Sequence, residues 1–191
     1  MAMNPDPKQV LTELTVLAAQ AGSEAAFRDL HGLWRADLRR LALVRVERDE
    51  AADEVMTEVW LAIVRGLARL DDPACFPRWA FRIVDRRCTD WIRRRATARR
   101  HAVAVAAEAE HFAPAAVPAI AAHEPADEVV ALRAAVTRLP ADARKLLHLY
   151  YELGRSVAEI AEILDLPSGT VKSRLFSVRE TLKAQLERKL P

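Results

Sequence analysis

Arginines at positions 78, 82, 86 and 93 recur near helical spacing in FPRWAFRIVDRRCTDWIRRR, residues 76–95, on a face distinct from the apolar one. A guanidinium stays charged at physiological pH and carries a planar fork of donors that matches phosphate oxygens. Arg78, Arg82, Arg86 and Arg93 together would neutralise a nucleic-acid backbone. Arg87, Arg94, Arg95, Arg99 and Arg100 add to the charge, and between Arg78 and Arg100 only Asp85 and Asp90 oppose it. A ring beside such a face can stack on unpaired bases, at about 1–3 kcal/mol per base. Trp79 is the candidate ring, whereas Phe76 and Trp91 read as packing residues.

A second set lies in SVAEIAEILDLPSGTVKSRLFSVRETL, residues 156–182, which has helix-turn-helix spacing. Ile160, Leu164, Leu166, Val171 and Leu175 supply a small core, and Ala161 is small where two helices would cross. Asp165 stands at the tight turn, where aspartate tolerates the left-handed conformation better than most residues. Ser168 is placed to cap the second helix. On that helix Val171, Leu175, Val178 and Leu182 face inward. Thr170, Lys172, Ser173, Arg174 and Ser177 face outward, with Arg179 near the edge. These side chains can bind phosphates and base edges in a major groove. A plain solvated hairpin can carry such residues too, but the alanine, tight turn and Ser-Gly-Thr-Val order favour duplex DNA.

Other chemistries find little support. Cys75 and Cys88 form no Cys-x-x-Cys and read as reduced thiols of a cytosolic protein, neither disulfide nor metal site. His31, His101, His111, His123 and His148 are scattered without ligand spacing, so no metal or cofactor is expected. No specific phosphate-loop or nucleophile–base motif is present, and no enzyme is expected. Met1 to Lys8 lacks a basic-then-apolar pattern, and no run of 18 apolar residues exists, so neither signal peptide nor membrane span is expected. The net charge of the 191-residue chain is only +2, so any nucleic-acid surface must come from local clustering.

The elements that would carry these residues are helical. Glycine is scarce, at 5 residues, while 51% of the chain is hydrophobic and can form cores. Phe27, Leu30, Trp34, Leu38 and Leu41 repeat at helical spacing after a cap region at Gly22-Ser23. A second helix is expected over 49–70, with Asp49 as candidate cap and Ala52, Val55, Met56, Val59, Trp60, Ile63 and Leu67 as its apolar stripe. A third, over 76–95, turns Phe76, Ala80, Ile83, Val84, Trp91 and Ile92 to the core. Alanine-rich residues 96–126 contain Pro114, Pro118 and Pro125 and read as a flexible linker with a helical start. Beyond it Val129, Leu132, Ala135, Val136 and Leu139 mark another helix, and Pro140 opens the next, which Gly154 ends. The expected fold is all-α: two small helical domains on a flexible linker. Boundaries are 1–20 for an N-terminal extension, 21–98 for the first domain, 99–127 for the linker and 128–191 for the second.

The stretch EIAEIL followed by GTVKSRL is very similar to region four of the extracytoplasmic-function (ECF) sigma factors of bacterial RNA polymerase. ADEVMTEVWLAI, residues 52–63, resembles that family's region two. The resemblance implies that Asp53, Glu54, Thr57 and Glu58 meet a coiled coil on the polymerase's largest subunit, Thr57 replacing a usual glutamine. It implies that residues 76–95 melt and hold the minus-ten element, and that the loop from Arg69 to Cys75 captures a flipped-out base. Asp71 and Asp72 in that loop either bond a base or cap the next helix. It also implies that Lys172, Ser173, Phe176 and Ser177 read the minus-thirty-five element, with Ser177 where the family often has arginine. Partners implied are core RNA polymerase (coiled coil and flap), promoter DNA in duplex and single-stranded form, and an anti-sigma factor. Two other readings stay open: a self-sufficient helix-turn-helix regulator that binds duplex DNA without polymerase, and a helical adaptor with vestigial DNA contacts.

Overall fold

The computed structural model describes residues 6–105 and 127–187. Residues 106–126 of the expected linker, with His111 and His123, lie outside the described residues. Among the described residues all regular structure is helical, and the chain divides into two units.

The first unit packs helices α1 (Pro7–Gln20), α2 (Glu24–Val46), α3 (Asp49–Leu67) and α4 (Phe76–Val105), with a short 3₁₀ turn at Pro73–Cys75 before α4. Trp34, Phe76 and Phe81 are sealed in its centre, Trp34 within about 6 Å of both partners. Each such ring stabilises the fold by roughly 1.5–3 kcal/mol relative to exposure. The ion pair of Arg45 with Asp85, 3.3 Å, ties α2 to α4.

Residues 7–20, expected as an extension, form α1 and enter the core. Asp6 caps this helix through the Lys8 amide at 3.0 Å, and Pro7 opens it. Val16 and Thr12 are buried, and the Thr12 hydroxyl accepts a hydrogen bond from the Trp34 indole at 3.0 Å.

Ser23 caps α2 as expected, accepting from the Ala26 amide. For α3 the cap position falls on Arg48, not Asp49; the Asp49 carboxylate instead accepts from Arg39 at 2.8 Å. Helix α4 runs through Val105, into the segment expected as linker. Ile92, expected inward, is 38% exposed, while Phe81 and Cys88 occupy the core.

The second unit comprises α5 (Asp127–Thr137), α6 (Ala141–Leu147), a π turn at His148–Glu152, α7 (Val157–Leu164) and α8 (Ser168–Glu187). Leu139, Leu147 and Val178 form one core cluster with Val136, Ala143 and Leu182 against it. Val129 and Leu132 lie on α5, the helix expected there, and both are exposed. Gly154, at φ +61, ends the π turn in a conformation that penalises a Cβ. Ser156 and Glu159 form a reciprocal capping box at the start of α7. Ile160 and Ile163 are its buried residues, whereas Leu164 and Leu166 are half-buried.

Asp165 adopts the left-handed conformation, φ 55 and ψ 49, and its amide and that of Leu166 both reach the Ala161 carbonyl. This turn aims α8. The cap of α8 is Pro167, whose carbonyl accepts from the Thr170 and Val171 amides, so Ser168 lies inside the first turn.

Candidate nucleic-acid interface

Helix α4 carries Arg78, Trp79, Arg82, Arg86 and Arg93 on its outer side. Arg86 and Arg93 are exposed, and Arg78, Trp79 and Arg82 are half-buried. Arg78 donates to the Cys75 sulfur at 2.6 Å, and the Cys75 thiol donates to Asp72 at 2.9 Å. The other Asp72 oxygen accepts from the Ala74 amide at 2.9 Å. Asp72 is therefore the cap of the 3₁₀ turn. The Cys75 thiol, then the Ala74 amide, hold its carboxyl below the usual range. Burial, then the Asp72 carboxylate, push the Cys75 thiol upward, which disfavours a reactive thiolate.

The loop before this turn is fixed at its start as well. The Gln20 side-chain amide donates to the Leu67 carbonyl at 2.9 Å and to the Leu70 carbonyl at 2.8 Å. Trp79 lies across the last turn of α3: a Cβ placed on Gly66 would meet its Cζ2 at 2.8 Å. The ring also packs on Phe76, at 6.0 Å between centroids. Trp79 is thus partly seated, and its seat is the end of α3.

Helix α3 presents a second face. Asp53, Glu54 and Thr57 are exposed and Glu58 is half-buried. Arg39 grips Asp53 with a fork, Nε to Oδ1 at 2.7 Å and Nη2 to Oδ2 at 3.2 Å. This hydrogen bonding holds the Asp53 carboxyl below its ordinary range and raises the Arg39 guanidinium. Glu54 accepts from the Trp91 indole at 2.9 Å, and Glu58 pairs with Arg94 at 2.7 Å, so both carboxylates bridge to α4. Trp60 leaves the core stripe and sits against His31, 4.4 Å between centroids. Beside it an open cleft of about 530 Å³ is lined by Arg35, Arg39, Asp53, Met56 and Thr57. Leu61 and Val64, 50% and 56% exposed, continue the outer side of α3 beyond Thr57. In the sequence Leu61 and Val64 stand outside the expected apolar stripe, but nothing in their residue type marks them for a partner.

In the second unit α8 sits on Val171, Leu175 and Val178, all buried. Its outer side exposes Lys172, Ser173, Arg174, Phe176 and Ser177; Ser168 is exposed in the first turn and Thr170 is half-buried. Phe176, 63% exposed, stands among these polar side chains. Ser173 donates to the Thr170 carbonyl at 3.0 Å, and Ser177 to the Ser173 carbonyl at 3.1 Å. Those hydroxyls can still accept. Arg179 is held by the Tyr151 hydroxyl at 2.7 Å and lies over both Tyr150 and Tyr151. That arrangement was invisible in the sequence, since the π turn that presents the tyrosines has no sequence signature.

Chemically, the first unit offers guanidinium groups and a seated indole beside a braced loop, suited to single strands. The second offers a positioned helix with mixed polar and aromatic tips, suited to a groove. Among the described residues no cluster of candidate metal ligands exists, and no helix is long and apolar enough to cross a membrane.

Comparison with known proteins agrees with this two-part division. Residues 30–98 match the Sigma-70 region 2 family, and residues 130–182 match Sigma-70, region 4. A probable RNA polymerase sigma factor RfaY of Xanthomonas campestris pv. campestris is 30% identical over 195 residues; the match covers 96% of this chain and 46% of that protein. The chain therefore spans about half the length of that relative. The ECF RNA polymerase sigma factor SigM of Mycobacterium tuberculosis is 30% identical over 168 residues, covering 87% of this chain and 81% of SigM. Among solved structures, CnrH in complex with the cytosolic domain of CnrY has a TM-score of 0.64 at 22% identity, covering 93% and 98% of the two chains. The sigma factor RpoE from Bartonella quintana, in complex with the anti-sigma factor NepR, has a TM-score of 0.68 at 20% identity, covering 84% and 96%. These two share the fold.

Proposed function

The chain belongs to the ECF RNA polymerase sigma factors, and from that premise we propose that it brings core polymerase to particular promoters and helps to open them. The first domain docks on the coiled coil of the largest subunit through Asp53, Glu54, Thr57 and Glu58. Exposed Leu61 and Val64 extend that contact. Its Arg78, Arg82, Arg86 and Arg93 hold phosphates of the minus-ten strand, and Trp79 supports an unpaired base. The second domain places Ser168, Thr170, Lys172, Ser173, Arg174, Phe176 and Ser177 at the minus-thirty-five duplex, with the flap as its polymerase contact. The domains carry 21–98 and 128–191, and the helix over residues 7–20 joins the first. The chain acts in the cytoplasm, as an initiation factor and not an enzyme, under an anti-sigma factor.

One observation carries this reading: two different DNA-suited surfaces stand on separate units that match two different sigma regions in one chain. Each surface is small and binds weakly alone. Polymerase that holds both turns the second contact into an effectively intramolecular one. A self-sufficient regulator would use only the second unit and leave the first without a task.

Run-off transcription with purified core polymerase on genomic fragments tests the proposal. Promoter-specific transcripts that need both core and this chain are the expected result. Tight duplex binding by the chain alone, with no transcript on any fragment, would overturn it.

A further inference from the structure

The segment before the region 2 match contains a residue that touches the loop preceding α4. Helix α1 ends at Gln20, and the match begins at residue 30. A helix leaves its last carbonyls without intrahelical partners, and α3 ends where the loop begins. Here Leu70 turns back to the Leu67 carbonyl through its own amide at 3.1 Å. Gln20 adds a second donor to Leu67 and the donor to Leu70, using both hydrogens of one nitrogen. The opposite amide orientation would set its oxygen against two carbonyl oxygens, so the acceptors fix which atom points in.

Gln20 itself is anchored. Val16 is fully buried one turn earlier, and Thr12 bonds the buried indole of Trp34. The far end of the loop is held by Asp72, Cys75 and Arg78. On α3, the residue before Leu67 is Gly66, the seat of Trp79. One turn of α3 thus takes its fixed position from Gln20 and gives a position to both the loop and the ring.

We infer that Gln20 is a positioning residue for promoter melting: it holds the loop over residues 69–75, and with it the seat of Trp79, in the shape that receives an unpaired base. The inference rests on the sigma-factor reading and adds α1 to the melting apparatus. Gln20 touches no DNA in this scheme.

The test uses the full chain bound to core polymerase, with Gln20→Ala, Gln20→Glu and Gln20→Lys. Lysine keeps a donor for both carbonyls at a helix C-terminus, where a cation is favoured; glutamate brings only oxygen. Permanganate reactivity of minus-ten thymines reports opening, and a filter assay at low temperature reports closed-complex affinity. The alanine variant should open about three- to thirtyfold less promoter at equal closed-complex affinity, as expected for losing two partly buried hydrogen bonds. Glutamate should do no better, and lysine should recover most of the opening. Opening equal to wild type in the alanine and glutamate variants would overturn the inference. So would a loss in which core binding, closed complex and opening fall together and lysine rescues none. If alanine fails to fold, the glutamate–lysine contrast decides alone. Wild-type chain that opens no promoter would instead overturn the sigma-factor reading, a separable outcome.

Discussion

Trp79 lies so close to Gly66 that a methyl group on the glycine would sit 2.8 Å from the indole Cζ2. Real side chains do not approach so closely, so Gly66→Ala must push the ring or the end of α3 away. Alanine favours a helix over glycine by about 1 kcal/mol, which offsets part of the strain. Net stability should therefore change by less than about 2 kcal/mol in a urea titration, while Trp79 moves. Promoter opening should drop severalfold with core binding intact. Unchanged opening by the Gly66→Ala holoenzyme would show that the ring's seat is irrelevant to melting.

How much of this could be read from the chain depends on what each signal reports. Asp165 was readable as a left-handed turn because few residues tolerate that conformation, and the structure places it there. The stripes of α2 and α3 were readable because many large residues repeat on one face. Helix α1 was not, since only Thr12 and Val16 are buried while Leu11, Leu14 and Leu17 face solvent. Caps were one residue off at Asp49 and Ser168. Side-chain type suggested a cap at each, but Arg39 takes the Asp49 carboxylate, and Pro167 supplies the cap carbonyl. The arginine face of α4 was readable as charge. That Arg78 also braces the loop through Cys75 required coordinates.

The capping box of α7 makes an acid-sensitive prediction. Burial pushes the Glu159 carboxyl up, but the Ser156 amide and hydroxyl together with Arg155 outweigh it, and the net shift is downward from 4.5. A carboxyl with a lowered folded-state value binds its proton more readily when unfolded. Its contribution is complete above pH 4.5 and is lost as the pH falls through the lower folded value. Glu159→Gln should lower stability near pH 7 by about 1 kcal/mol and narrow the gap to wild type as the pH drops toward 3. Urea midpoints followed over that range check this; a gap that stays constant would remove Glu159 from the acid response.

On α3 the exposed pair Leu61 and Val64 should act in binding and not in folding. Serine at both positions removes only the covered half of each side chain and should lower stability by about 1 kcal/mol or less. If this face meets polymerase, affinity for core should fall about tenfold, near 1.4 kcal/mol. Competition for core against wild-type chain gives the number. Equal competition would confine docking to the acidic residues Asp53, Glu54 and Glu58.

The outer side of α8 separates charge from shape. Lys172 and Arg174 are exposed cations, and each phosphate left without its cation should lower the salt slope of promoter binding by about one. Their effect should be similar on any upstream sequence. Phe176 is 63% exposed and carries no charge, so Phe176→Ala should leave both stability and salt slope unchanged. It should instead cost roughly 1–3 kcal/mol on the cognate upstream element and little on a scrambled one, because a ring reads a base edge or methyl and not a phosphate. Holoenzyme titrations on both duplexes at several salt concentrations distinguish the two classes. Equal losses on both sequences from Phe176→Ala would assign that ring to packing within the complex and leave sequence reading to the polar residues around it.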